Sequence, residues 1–180
     1  SLVFKKSQIL YGLHQNIDHI RSAKEIFLVE GYMDVIKLYC SDIKNVVSTL
    51  GTTLSEIQLR KMWNFSDTPY ICFDGDEAGL NASKKIAEKV LKFLVPGKSL
   101  KFIEIPDSKD PDSFLENRDR KDFLDLKFNS KDLSLIIWET IENSIEADIP
   151  EFLAVIDEKI SNIIKKISDP RVSREYYRFL

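Results

Sequence analysis

The chain has 180 residues, of which 43% are hydrophobic and 31% charged, as is typical of one globular domain or one domain with an appendage. Its formal net charge of −3 argues against binding nucleic acid through bulk charge alone. Apolar runs never reach the ~18 residues of a membrane span, and no signal peptide is visible, so we expect no membrane partner.

Short apolar runs alternate with amphipathic segments through the first two thirds of the chain. Runs that predict strands cover residues 26–30, 45–51, 69–74 and 100–106. Segments that predict helices lie between them and cover residues 33–40, 53–63 and 77–95, with Thr53 or Ser55 as N-cap of the second. Alternation with short connections predicts right-handed βαβ units, and therefore an α/β fold with a central parallel sheet.

The pattern changes after residue 115, where glycine disappears and no further strand run is found. Helical spacing of apolar residues predicts a small helical bundle over 116–180. The α/β domain would then cover 25–115. Residues 1–24 carry four basic side chains against Asp18, a net +3, and would form a basic leader. Because the sequence lacks an initiator Met, we interpret it as part of a longer protein, with the leader joining a preceding subdomain.

The cysteines and histidines predict no zinc site. Cys40 and Cys72 lie far apart in apolar contexts, so we expect two reduced cysteines in the core. His14 and His19 have no Cys or His partner at ligand spacing.

Carboxylates follow three of the four predicted strands at the point where each strand ends. Glu30 ends the first strand, Asp74 ends the third, and an Asp-Pro-Asp segment follows the fourth. Ligands of an open parallel sheet bind outside the carboxyl ends of its strands. Six carboxylates can therefore converge on one edge: Glu30, Asp34, Asp74, Asp76, Asp110 and Asp112.

Each Asp-x-Asp pair taken alone could be a solvated turn, but its position at a strand end favours a site. Two carboxylates ~4 Å apart repel by about 4 kcal/mol at an effective dielectric of ~20. A cluster without cations would thus destabilise the fold or force protonation. Oxygen ligands favour Mg²⁺ or Mn²⁺ over zinc, and two such ions are a known arrangement for in-line nucleotidyl transfer.

Three glycines lie beside these acids. Gly31 and Gly75 can allow close backbone approach or a positive φ, or they can be ordinary turn glycines. Gly51 precedes a predicted helix whose N-terminus could bind phosphate, although a plain N-cap explains the pattern as well.

Five segments of the sequence resemble bacterial replicative DNA primases of the DnaG type. They are FKKSQILYGL at 4–13, VEGYMDVI at 29–36, STLGTTL at 48–54, CFDGDEAG at 72–79 and KDPDSFL at 109–115. The acidic core of these primases is the toprim (Rossmann-like) fold, which also occurs in topoisomerases, small nucleases and recombination proteins. The resemblance therefore implies a toprim domain with a central parallel sheet, followed by a helical subdomain.

The resemblance implies a template-directed RNA polymerase that makes short primers on single-stranded DNA. Glu30 would be the catalytic acid and a metal ligand, with Asp74 and Asp76 as further ligands of two Mg²⁺ or Mn²⁺ ions. Lys6 would contact the template or the incoming nucleotide, unless it is a plain surface lysine. The remaining catalytic acids would be Asp34, Asp110 and Asp112, and the glycines near nucleotide or template would be Gly31, Gly51 and Gly75.

The family also implies partners and a setting. The partners would be single-stranded DNA and ribonucleoside triphosphates, together with a replicative helicase and a single-strand-binding protein that bind other regions of the protein. The protein would act in the bacterial cytoplasm. Two alternatives stay open: another toprim enzyme, such as a Mg²⁺-dependent nuclease or topoisomerase, and a non-catalytic binding module. A topoisomerase needs a nucleophilic tyrosine, but we expect Tyr176 and Tyr177 to be packing residues on an amphipathic helix.

Overall fold

The computed structural model describes residues 5–51, 53–143 and 150–180. A five-stranded sheet with the strand order β2-β1-β3-β4-β5 forms its centre. The strands are β1 Phe27–Val29, β2 Val46–Ser48, β3 Tyr70–Phe73, β4 Lys101–Glu104 and β5 Lys131–Asp132. The first four strands pair in parallel, which confirms the predicted α/β fold with its central parallel sheet.

Helices in the described residues connect and follow these strands. Seven of them lie between residues 13 and 142: α1 Leu13–Ala23, α2 Tyr32–Cys40, α3 Glu56–Trp63, α4 Glu77–Val90, α5 Pro111–Phe114, α6 Arg120–Asp125 and α7 Leu133–Glu142. Two more close the chain: α8 Pro150–Ile164 and α9 Pro170–Phe179. Short 3₁₀ turns occur at Lys6–Gln8, Leu91–Phe93, Pro106–Ser108 and Leu126–Asn129.

Helices pack on both faces of the sheet. Alternate residues of a strand point to opposite faces, so each of the four parallel strands contributes side chains to both of the resulting apolar cores. Leu28 of β1 belongs to one apolar core, which includes residues of α3, α4 and α7. Phe27 and Val29 belong to the other core, which includes residues of α2, α5 and α6. All three residues of β1 are fully buried, so the strand that ends at Glu30 is held rigidly from both sides.

Helix α3 begins at a reciprocal cap that decides between the two predicted N-caps. The Ser55 Oγ accepts a hydrogen bond from the Gln58 backbone N–H at 3.2 Å, and the Gln58 side chain accepts one from the Ser55 N–H at 2.9 Å. The buried Gln58 side chain also donates to the carbonyls of Lys6 and Ile9, which fastens the basic leader to this helix.

The prediction that no strand follows residue 115 is wrong. Lys131–Asp132 adds a short strand that pairs antiparallel with β4 and extends the sheet. Two charged residues give no apolar run, so the sequence pattern could not show this strand. Helix α7 follows directly, and its Ile137 lies in the same core as Leu28, so this helix packs into the α/β domain. The division at residue 115 stays a prediction.

Two predictions about individual side chains are also wrong. Cys40 is exposed, whereas Cys72 is buried as expected. Helix α2 buries Val35 and Leu38 against the sheet, which turns Cys40 towards solvent. Tyr176 packs against the core as expected, whereas Tyr177 is 66% exposed, because only one face of α9 packs on the core. No helix in the described part of the chain is long and apolar enough to cross a membrane.

The packing of α7 predicts a large cost for Ile137→Ala. Ile137 is fully buried, so its truncation should lower the free energy of unfolding of the whole domain by roughly 2–5 kcal/mol. Urea denaturation followed by both circular dichroism and tryptophan fluorescence measures this, with one shared transition expected. The control is Leu135→Ala on the same helix, where the side chain is 39% exposed and the loss should be much smaller. Two separate transitions, or equal losses, would contradict the shared core.

Candidate metal centre

The structure places the six predicted acids along the carboxyl edge of the sheet, near enough to affect one another's charge. Glu30 follows β1 and Asp74 follows β3, its neighbour in the sheet. Burial is the main reason that the pKa of Asp74 rises to about 6, and the charges of its acidic neighbours raise it further: Glu30, Asp34, Asp110 and Asp76. Asp112 joins the set, because its charge helps to raise the pKa of Asp34 after the larger effect of burial.

Three of the aspartates each use one oxygen to cap the start of a helix. Such N-terminal hydrogen bonds hold a carboxylate in place and favour its negative charge. The second oxygen of each forms no hydrogen bond to a described residue and can bind a cation. The three bonds are Gly31 N to Asp34 Oδ2 at 2.9 Å, Gly79 N to Asp76 Oδ1 at 2.8 Å and Ser113 N to Asp110 Oδ1 at 2.6 Å.

Asp112 is neutralised by a cation that the sequence analysis missed. Lys37 of α2 lies 2.8 Å from the Asp112 Oδ1 atom on α5, and this partner raises the pKa of the lysine. Both side chains are partly exposed, so the pair contributes little to stability but fixes the direction of the carboxylate. Lys37 lies one helical turn after Asp34, a spacing that could have placed it beside the acids.

Glu30 and Asp74 are the two members of the set that remain uncommitted. Neither forms a hydrogen bond or an ion pair with any residue that the structure describes. Glu30 is exposed and Asp74 is partly buried at the ends of paired strands. They are therefore the carboxylates most available to a metal ion.

The donor set fits Mg²⁺ in its chemistry, although the acids are not gathered at one point. Among the described residues, no three carboxylates form a compact metal-binding group. Mg²⁺ usually takes one or two carboxylates and completes its shell with waters and substrate phosphates. A pair such as Glu30 and Asp74 meets that need. Burial first, and then the neighbouring carboxylates, raise the pKa of Asp74, and a bound cation would favour its charged form.

Glycine contributes most at a position that the sequence analysis did not single out. A Cβ atom on Gly79 would overlap the Asp74 carbonyl oxygen, so only glycine lets the first turn of α4 approach β3 this closely. Gly75 donates its N–H to the Lys109 carbonyl at 2.9 Å, which ties the loops after β3 and β4 together. Gly31 has an ordinary φ of −105° and leaves room for the Asp34 carboxylate.

A cavity of about 260 Å³ opens beside Glu30, between the loop after β2 and helix α4. Gly51, whose φ is +72°, lines the wall formed by the loop after β2, and Lys85 lines the wall formed by α4. Lys6 does not line this cavity. It is exposed in the leader, and nothing in the structure assigns a partner to its ammonium group.

Removing the charge of Asp74 should stabilise the metal-free protein. A carboxyl whose pKa rises from about 4 to about 6 on folding loses its stabilising contribution as pH increases through that range. In EDTA, Asp74→Asn should therefore match the wild type below pH 4 and exceed its free energy of unfolding by roughly 1–2 kcal/mol above pH 7. Urea denaturation across pH measures this, with Asp157→Asn on the exposed side of α8 as control. Equal stability of the two proteins at pH 8 would contradict the conclusion that burial and acidic neighbours disfavour the charged form of Asp74.

Comparison with known proteins gives this site a family. Residues 27–115 match the model of the "Toprim-like" family. A DNA primase of Rickettsia prowazekii is 34% identical over 179 residues, which is 99% of this chain and 30% of that protein. A DNA primase of Legionella pneumophila is 37% identical over 150 residues, or 83% of this chain and 26% of that protein. The chain thus spans about three tenths of the length of the curated relatives it matches.

Solved structures agree with this assignment. A DNA primase domain from Pseudomonas aeruginosa superposes with a TM-score of 0.90 at 31% identity, covering 98% of this chain and 55% of that one. A DnaG primase catalytic domain bound to single-stranded DNA superposes with a TM-score of 0.89 at 24% identity, covering 99% of this chain and 57% of that one. The chain belongs to the DnaG-type DNA primase family, with its toprim domain at residues 27–115.

Proposed function

We propose that this chain is the metal-binding part of a DNA primase catalytic core, which extends a short RNA primer on single-stranded DNA by Mg²⁺-dependent nucleotidyl transfer. The observation that carries the proposal is the pair of uncommitted carboxylates, Glu30 and Asp74, at adjacent strand ends of a toprim domain. Family membership supports a nucleotidyl-transfer reaction, and this pair of carboxylates would hold the metal ions that such a reaction uses.

Each acid has a part that follows from its surroundings. Glu30 and Asp74 would supply the primary oxygen ligands, and Asp76 would add the oxygen that does not cap α4. Two bound Mg²⁺ ions would lower the pKa of the primer 3′-hydroxyl and neutralise the triphosphate and the leaving pyrophosphate. The other catalytic acids would act through their negative charge, which attracts cations to the metal ligands. They are Asp34, Asp110 and Asp112. Because Glu30 is exposed, it can also accept the proton of the hydroxyl as a general base.

The partners proposed are those of the primase reaction. Single-stranded DNA would be the template, as supported by the related catalytic domain that was solved bound to single-stranded DNA. Ribonucleoside triphosphates would be substrates, and Lys6 of the basic leader would contact the template or the nucleotide. We propose that a replicative helicase and a single-strand-binding protein act through other regions, and that the protein works in the bacterial cytoplasm.

A topoisomerase reaction fits the structure less well. It requires a tyrosine that reaches the acidic edge, but α9 packs beside the loop that contains Pro96 and Gly97. That loop follows the far end of α4, whose first residue adjoins Asp76. A helix of 14 residues is roughly 20 Å long, so Tyr176 is remote from the acids in this arrangement.

The proposal predicts that Glu30→Gln abolishes primer synthesis without unfolding the protein. The amide keeps the size of the side chain but removes a metal ligand, so the rate should fall by about a hundredfold or more. The assay measures ribonucleotide incorporation on single-stranded DNA by the full protein that contains this chain. Because Glu30 forms no hydrogen bond to a described residue, the melting temperature should stay within a few degrees.

Glu77→Gln is the matched control, because Glu77 lies in the first turn of α4 beside the site and belongs to no proposed ligand set. Its activity should remain close to that of the wild type. Full activity of Glu30→Gln, or an equal loss in both variants, would refute the proposal. Incubation of the wild type with supercoiled plasmid and Mg²⁺ separates the alternative, since nicking or relaxation without ribonucleotide incorporation would favour a nuclease or topoisomerase.

A further inference from the structure

One of the six acids already holds a cation that belongs to the protein itself. The Lys37 Nζ atom of α2 lies 2.8 Å from the Asp112 Oδ1 atom of α5. Three of the other acids direct an oxygen to a helix start, and Glu30 and Asp74 contact no described partner. The acidic edge is therefore open to a cation at Glu30 and Asp74, whereas Asp112 is occupied by the ammonium group.

The fold brings these two side chains together through buried neighbours on both helices. Val35 and Leu38 of α2 and Phe114 of α5 belong to the same apolar core, and the two helices pack against each other. Lys37 lies between the two buried residues of α2 in sequence, and Asp112 lies two residues before Phe114. Because each backbone is anchored, the ammonium group reaches the carboxylate without any rearrangement of the fold.

The pair is exposed enough for a dissolved ion to compete with it. The side chains of Lys37 and Asp112 are 38% and 42% exposed, so hydrated cations can reach both. Glu116 lies close enough for its charge to act on Lys37, which gives the lysine a second anion to approach when it leaves Asp112. Lys37 and a divalent ion can therefore exchange at Asp112, and the lysine competes at a high effective concentration because it is tethered.

A cation at Asp112 affects the rest of the acidic edge through Asp34. The charge of Asp112 acts on Asp34, and the charge of Asp34 acts on Asp74. A bare Asp112 would attract a divalent ion to this side of the edge, since carboxylate oxygens suit Mg²⁺ and Mn²⁺. The positive charge of Lys37 cancels that attraction and repels a further cation.

We propose that Lys37 is a positioning residue of the metal centre, whose ammonium group occupies Asp112 in place of a divalent ion and so directs the first ion to Glu30 and Asp74. The inference rests on the proposed function, since it assumes a metal ion at that pair. Without substrate, the protein would then bind one ion tightly at Glu30 and Asp74. A second ion would enter together with the triphosphate, whose negative charge offsets the repulsion by Lys37.

The test counts the Mn²⁺ ions that bind without substrate to the full protein that contains this chain. Electron paramagnetic resonance measures free Mn²⁺ during a titration, and so gives both the number of bound ions and their affinities. The variants are Lys37→Met, Lys37→Arg, Asp112→Asn and the double variant Lys37→Met with Asp112→Asn. Lys44→Met is the matched control, because Lys44 also lies 2.8 Å from an aspartate, Asp42, but precedes β2 at the opposite edge of the sheet.

Lys37→Met should tighten the binding of a second Mn²⁺ about tenfold, because it removes a positive charge beside a partly solvated site and frees a carboxylate for the ion. Lys37→Arg keeps the charge and should bind Mn²⁺ as the wild type does. Asp112→Asn alone should give no gain, and the double variant should lose the gain of Lys37→Met. Lys44→Met should match the wild type. Because these ion pairs are exposed, every variant should melt within a few degrees of the wild type.

A second ion of wild-type affinity in Lys37→Met would overturn this inference while leaving the metal assignment at Glu30 intact. A gain that persists in the double variant, or that Lys44→Met shows equally, would also overturn it, because Asp112 would not be the carboxylate that the lysine controls. Failure of the proposed function looks different. The wild type would then have no tight Mn²⁺ site that Glu30→Gln removes, and both proposals would fail.

Discussion

Repulsion among carboxylates at one edge of the sheet is the constraint on which the rest of this structure depends. Six acids lie close enough to act on one another, and the pKa of Asp74 rises to about 6 because burial and its neighbours both oppose its charge. Hydrogen bonds at helix starts and the Lys37–Asp112 pair relieve part of this repulsion. Glu30 and Asp74 receive no such relief, and we propose that a divalent cation neutralises them when the site is in use.

The fold holds the acids in this unfavourable arrangement by anchoring the strands that carry them. β1 is buried on both faces, and β3 pairs with it directly, so Glu30 and Asp74 cannot easily move apart. Gly79 lets α4 start immediately beside the Asp74 backbone, which directs Asp76 to the same edge. Apolar packing thereby supplies the free energy that keeps these like charges near one another.

The sequence predicted the parallel sheet and its acidic edge because both depend on local patterns. Two of the apolar runs of strand length end in an acid, at Glu30 and Asp74. Their position at strand ends can therefore be predicted without knowledge of any long-range contact. The two-residue strand β5, the exposure of Cys40 and the pairing of Lys37 with Asp112 depend on how distant segments meet.

Anomalous diffraction from crystals of the protein soaked in Mn²⁺ tests the central claim most directly. It locates the ion without any assumption about the reaction. The account predicts Mn²⁺ coordinated by the carboxylates of Glu30 and Asp74, and loss of that peak in Glu30→Gln crystals grown under the same conditions. A strong Mn²⁺ peak elsewhere, with no ion bound to these two side chains, would contradict it.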